Sequence, residues 1–497
     1  MKKLCVALFM CIGSWVHAEC LVYLNNDVID KPLNDPLFSL LSDSVSCPTS
    51  VQELKQKLVA NHLQIETRMV ANRGRNNPAE GSFSFFESVY GQLASGQRVK
   101  KGDFFLGHFT ALEGNTLVLD QRPEHEKLLI ELIVWDRQKE QYNFYELRGW
   151  ERGGVRWFYR GDSADAYKDN KWLYRKSPAN EDHFGSRMRC SACHNSGGPI
   201  LKEMSLPHND WWTDLRPLIL APNHPDPEVE RLIAELADAD LLARDVRTGA
   251  NKLGNSSSMT AFGKQLSLQE QLRPLFCTTE INLESSADEE GSSFLIPSAF
   301  WLNPVLGQIN ISVSRDAYNE VLETLDMNFP ETSLRDADHA WLTPVKSDAD
   351  LQEIQRLIKQ GLISEEFAKA VLMIDFTHPV FSTERCDLLK LLPETNEKEW
   401  LSHFMSHLRK QSSKNKAAAT LSDYLENPVV YQGKAMQEIH QYQQYLAQLL
   451  MTREGLKTSY LNLIALRKSV FTSELSQNPK GQILEPGFRV IFPESMV

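Results

Sequence analysis

The sequence predicts an α+β protein, with an antiparallel β-rich N-terminal region followed by a mainly helical region. Three observations carry this expectation. Between Phe83 and Arg160, aromatic and β-branched residues recur in short runs separated by turn residues, the pattern of paired strands. Beyond Lys176, apolar residues recur at helical spacing behind Ser and Asp cap positions, the pattern of amphipathic helices. The chain has 497 residues, of which 42% are hydrophobic and 24% charged, enough for two or three globular domains and a large core.

The elements follow in order. Residues 1–18, MKKLCVALFMCIGSWVHA, have a basic start, an apolar run of about a dozen residues and a small-residue exit. That run is too short for a membrane span, which needs about 20 residues, and it reads as a cleavable secretory signal. The short Lys-Lys form points to a bacterial periplasm. Ser50-Val-Gln-Glu53 reads as a capping box ahead of a helix carrying Val51, Leu54 and Leu58. Residues 72–82, NRGRNNPAEGS, read as a loop. A hairpin is expected from Asp103–Phe109 and Thr116–Asp120 around Glu113-Gly-Asn, and a second pair from Leu128–Trp135 and Tyr142–Trp150. A fifth strand is expected at Val155–Arg160.

Helices are then expected after Asp226-Pro227, over 348–361 ending at Gly361, from Ser364 through Ile374, over Lys398–Lys410 and over Gln437–Met451. GNSSS (254–258) and SSADEEGSS (285–293) read as loops between them. The expected organisation is a signal at 1–18, a β-rich domain at 19–175 and a mainly helical domain at 176–497.

The net charge is −12. Nucleic-acid binders carry concentrated basic surface, so this balance argues against such a partner. No later segment has 18 consecutive apolar residues, so no transmembrane segment is expected in the mature chain.

Of eight cysteines, Cys5 and Cys11 lie in the signal. Cys20, Cys47, Cys277 and Cys386 can pair in three ways. The favoured pairing is Cys20–Cys47 and Cys277–Cys386, bridges that persist in an oxidising compartment.

The remaining two stand in RCSACHN (189–195), where Cys190, Cys193 and His194 form Cys-x-x-Cys-His. Two thiols at this spacing on a helical turn can each add across one vinyl group of a haem, forming thioethers. The adjacent histidine then reaches the iron. With 8 Cys and 13 His in 497 positions, a random shuffle would contain the pattern in about 0.3% of cases. Rival chemistries lack parts. A thioredoxin-like dithiol follows a strand and requires no histidine at this place. A structural zinc site needs a second ligand pair, which the isolated remaining cysteines do not supply.

This stretch resembles the haem-attachment site of the c-type cytochromes, in their exported bacterial mono-haem form. Phe184 precedes the motif and Gly198-Pro199-Ile200-Leu201 follows it, as an aromatic and a Gly-Pro-x-Leu element do in many such domains. The resemblance implies one covalent haem c, held by Cys190 and Cys193 and ligated by His194. It also implies that the Pro199 carbonyl accepts the second N–H of His194, orienting the ring. The rest of the chain carries no such likeness.

Function then turns on the sixth iron position. Met259, in the GNSSSMT stretch, is the first candidate, with Met204, Met327 and His208 as others and an open position as a further alternative. Arg187 and Arg189 are candidate partners for haem propionates. Trp211-Trp212 could wall the haem but fits packing better. His403 and His407 lie four apart, but Phe404 stands where a zinc protease has its glutamate, so they read as a solvated helix face.

The expected function is electron transfer or haem-dependent oxidoreduction, with a redox partner protein or a small molecule as the other reactant. A haem-based sensor and a non-haem thiol-disulfide protein are the alternatives. A carrier needs only about 100 residues around one haem, so the length leans towards an enzyme.

Overall fold

The computed structural model describes residues 20–70 (except 25, 30 and 45), 83–110, 128–150, 153–169, 194, 196–201, 239–278 and 281–284. It further describes 293–317, 320–321, 328–329, 334–335, 343–380, 382–393, 399–459 and 461–462. The signal region, Cys190, Cys193, Met204, His208, Met327, Arg187, Arg189 and Trp211-Trp212 lie outside these residues.

The N-terminal half is built on a nine-stranded sheet. Its strands are β1 (Val22–Leu24), β2 (Asp27–Val28), β3 (Leu63–Val70), β4 (Phe83–Gln92), β5 (Arg98–Val99), β6 (Phe104–Thr110), β7 (Leu128–Asp136), β8 (Gln141–Gly149) and β9 (Val155–Asp162). The order is β2-β1-β9-β8-β7-β6-β4-β3, with β5 pairing β4. The pairings are antiparallel except β1 with β9, which is parallel. The expected second pair is present as β7–β8, with Ile133 opposite Phe144 and Trp135 opposite Tyr142. Thr116–Asp120, the expected partner of β6, lies outside the described residues, and β6 pairs with β4 and β7.

One face of the sheet is covered by α1 (Pro36–Ser42) and α2 (Val51–Ala60). Leu37, Leu41, Leu54 and Leu58 from these helices are fully buried against Val89, Phe104, Leu106, Val134, Tyr145 and Trp157. The Ser50 hydroxyl caps α2 at the Glu53 N–H, 3.2 Å away. The expected capping box is displaced by one residue, because the Glu53 carboxylate accepts from the N–H (2.6 Å) and hydroxyl (2.9 Å) of Thr49. The Cys20–Cys47 disulfide ties the chain before β1 to the segment leading into α2.

Asp35 joins this layer to the sheet. Its carboxylate caps α1 at the Phe38 N–H (2.8 Å) and accepts from Asn143 Nδ2 (2.7 Å) and from the Tyr145 hydroxyl. Burial raises its pKa from 3.8 to about 6, and the three donors only partly offset that. A folded-state value above the unfolded one means the native state holds its proton more tightly. Stability therefore falls as pH rises between about 4 and 6, by about 3 kcal/mol when the window is crossed. Asp35→Asn has no carboxyl to ionise. Relative to the parent it should gain that amount between pH 4 and pH 7, read from urea midpoints, and a constant difference would contradict the assignment.

The opposite face receives helix α4 (Ala239–Gly254), which follows α3 (Ser163–Asp169) in the described chain. Leu242, Ala243 and Val246 of α4 pack on Phe105, with Phe86 and Ile133 beside them. The Ser88 hydroxyl donates to the Asp245 carboxylate. Burial along β8 is almost unbroken from Tyr142 to Arg148, as expected for a strand covered on both faces.

The C-terminal half adds α5 (Ser257–Gly263), α6 (Leu268–Phe276), α7 (Ser298–Trp301), α8 (Asp348–Lys359), α9 (Glu365–Leu372), α10 (Thr383–Asp387), α11 (Trp400–Gln411), α12 (Lys416–Glu426) and α13 (Pro428–Leu450). Three two-stranded ribbons accompany them: β10 (Ile281–Glu284) with β15 (Thr343–Lys346), β11 (Ser293–Ile296) with β12 (Ile311–Ser314), and β13 (Asn328–Phe329) with β14 (Leu334–Arg335). Their core includes Leu272, Phe276, Ile354, Leu357, Phe367, Val371, Phe404 and Leu421. The α6 cap is a full reciprocal box between Ser267 and Glu270. The expected helices at 348–361 and from Ser364 are α8 and α9, capped by Ser347 and Ser364, and Gly361 follows α8 at φ 71°. The Cys277–Cys386 disulfide joins the end of α6 to α10. The fold is thus α+β, as expected, with a sheet-based N-terminal part and a mainly helical remainder. Among the described residues no helix is long and apolar enough to cross a membrane.

Candidate functional site

The site is built around His194 and the turn that follows it. The Gly197 N–H donates to the His194 carbonyl at 2.9 Å, closing a turn, and Gly197 has φ 78°. That backbone region disfavours any side chain. A Cβ on Gly197 would also run into the Ser163 carbonyl at the start of α3. The glycine therefore answers two demands, left-handed backbone and close approach.

The tight turn brings the Gly198 carbonyl to the Nδ1 edge of the imidazole. His194 Nδ1 lies 2.8 Å from Gly198 O. A carbonyl only accepts, so Nδ1 carries the proton and the neutral ring has its lone pair on Nε2. The carbonyl expected in this role was that of Pro199. The residue before it takes the bond instead, because the turn closes within four residues of His194.

The rest of the segment is anchored on three sides. The His194 ring lies against Phe144 of β8, with centroids 5.5 Å apart and planes at 42°. The Pro199 ring crosses α4 at Gly249, where a Cβ would lie 2.7 Å from Pro199 Cγ and 2.9 Å from Gly102 O. Leu201 is buried with Phe105, Leu242, Ala243 and Val246. Its carbonyl accepts from the buried Asn282 side chain of β10 (2.8 Å), whose oxygen in turn accepts from the first N–H of α8 (2.9 Å). Sheet, α4 and the helical half therefore all hold this one turn.

Of the named sixth-position candidates, Met259 lies within the described residues. It does not sit in a loop: Gly254 ends α4, and Ser256 caps α5 by accepting from the Met259 N–H at 3.1 Å. The run of small residues is a two-residue link between helices. Met259 is half-buried and packs with Trp135, Tyr142 and Leu253. A Cβ on Gly198 would lie 3.3 Å from Leu253 Cδ2, so Met259 and the His194 turn share a neighbour. His403 and His407 are exposed on α11, with Phe404 between them buried. Among the described residues no group of three or more His, Cys, Asp or Glu side chains is placed to hold a metal ion.

Phe144, Gly197, Gly249 and Asn282 escape the sequence reading. The Gly-Gly-Pro run after the motif signals a close backbone approach. What it approaches is set by contacts distant in sequence. Comparisons with protein-family models, curated proteins and solved structures return no match.

Proposed function

We propose that this chain is an exported, single-haem c-type redox protein that works in electron transfer or haem-dependent oxidoreduction. Cys190 and Cys193 would hold the haem through thioethers, and His194 would supply the iron ligand. The observation that carries the reading is the orientation of His194. Its Nδ1–H is committed to a backbone carbonyl, and the lone pair of the neutral ring is on the other nitrogen. Metal-ligating histidines are held in this way, which fixes the tautomer and raises the basicity of the ligating nitrogen. The donor set of two thiols and one oriented imidazole fits haem c. When bound, the haem supplies a one-electron couple at iron.

The chain's own residues support that role by holding the imidazole still. Phe144 blocks one side of the ring, the Gly197 turn fixes its backbone, and Leu201 and Asn282 anchor the exit. Met259 is the proposed sixth ligand, supported by the neighbour it shares with the His194 turn. The two disulfides support maturation in an oxidising compartment, the periplasm in this reading. A redox protein or a small molecule is the other reactant.

The test is an optical spectrum of the purified protein, reduced and oxidised, with and without carbon monoxide. A c-type α band on reduction is expected, with little response to carbon monoxide if Met259 occupies the sixth position. A spectrum with no haem band would contradict the reading, and rapid carbon monoxide binding would remove Met259 from it.

A further inference from the structure

We propose that the buried Glu146–Arg160 pair sets the redox potential of the haem site through opposed fixed charges on the same sheet face as Phe144, the ring that meets His194. The inference rests on the haem reading above and extends it to residues outside the motif. Phe144, whose ring meets His194, is followed two positions later on β8 by Glu146. Alternation puts both side chains on one face of the sheet, with Cα atoms about 7 Å apart. Arg160, on the neighbouring β9, donates from Nε to Glu146 Oε2 at 2.8 Å, and both side chains are only 3% exposed. Arg160 also lies over the Phe158 ring, 4.5 Å from its centroid. Glu131 of β7 stands directly opposite Glu146 in the register, and Arg148 and Arg156 extend the charged part of this face.

The face is therefore apolar at Trp135, Tyr142, Ile133 and Phe144 and charged from Glu146 onwards. A buried ion pair adds little to stability over an apolar pair of the same size, so stability alone does not explain its place two residues along the strand from Phe144. Charges fixed in a low-dielectric interior act over distances at which water would screen them. The ferric site carries one more positive charge than the ferrous one. A carboxylate nearby favours the ferric form and lowers the potential, and a guanidinium does the reverse.

The experiment is spectroelectrochemical titration of the full-length holoprotein and its variants. Glu146→Gln should raise the midpoint potential, and Arg160→Gln should lower it. Glu131→Gln leaves the pair intact and should also raise the potential, so it tests the same field where a variant of the pair fails to accumulate. Shifts in one common direction, or no shift in the variants that fold, would overturn the inference, because a merely structural role does not produce opposite signs. Parent protein that carries no haem would instead overturn the functional reading, and this is seen before any titration.

Discussion

Chains in which Cys190 and Cys193 are both replaced by alanine are expected to lose all covalently bound haem, while each single replacement keeps it through the remaining thioether. Under the proposed attachment each sulfur would form its own bond to the porphyrin, and either bond would suffice to survive denaturation. The expected result is a graded series on a haem-stained denaturing gel: signal in the parent, signal in each single variant, none in the double variant. Both disulfides should still form in the double variant, since Cys20–Cys47 and Cys277–Cys386 use other sulfurs. A double variant that still stains after denaturation would place the attachment elsewhere.

The second large effect is expected at the Cys277–Cys386 bridge. It closes a separation of 109 residues, and removing a bridge over a loop of that length costs about 5 kcal/mol through the unfolded chain. Its surroundings add to the loss. Lys346, buried at the end of β15, donates to the Cys277 carbonyl at 2.8 Å and pairs with Asp350 at 3.0 Å. The Thr278 hydroxyl donates to the Val380 carbonyl. Arg385, next to Cys386, is 2% exposed and donates to the carbonyls of Ile374, His378 and Pro379. Burial lowers the Arg385 pKa to about 10, and the guanidinium stays charged at neutral pH. Separating α6 from α10 would loosen this buried polar group together with the bridge. The Cys277→Ser/Cys386→Ser variant should therefore unfold at a clearly lower urea midpoint than the parent. An unchanged midpoint would show that the core alone holds these helices together.

The elements that the sequence makes legible are those with local causes. α8 and α9 follow from a serine cap, an apolar stripe and Gly361. β7 and β8 follow from dense aromatic and β-branched runs. β1 and β2, three and two residues long, carry too little pattern to be read, and the parallel β1–β9 pairing depends on residues more than a hundred positions apart. β3 carries Glu66 and Arg68 amid its apolar residues, and the burial of Arg68 is set by what packs on the sheet. The first half of α13 is hidden because Val429, Val430 and Met436 are exposed, and only Tyr431, Ala435 and Ile439 face the core. Met259 reads as a loop residue because Gly-Asn-Ser-Ser-Ser is a turn-like composition, yet Ser256 uses its hydroxyl to start a helix.

The candidate site divides in the same way. Cys190, Cys193 and His194 are legible because the chemistry proposed for them depends on spacing along the chain. Phe144, Gly249 and Asn282 reach the site through sheet register and helix packing, which no local pattern encodes.

The most direct test of the central claim is mass spectrometry of the denatured, reduced protein from cells that mature c-type cytochromes. The expected result is one haem mass added to the peptide containing Cys190 and Cys193, surviving acid and thiol. A peptide of unmodified mass, or one joined only by a reducible disulfide between these two cysteines, would contradict it.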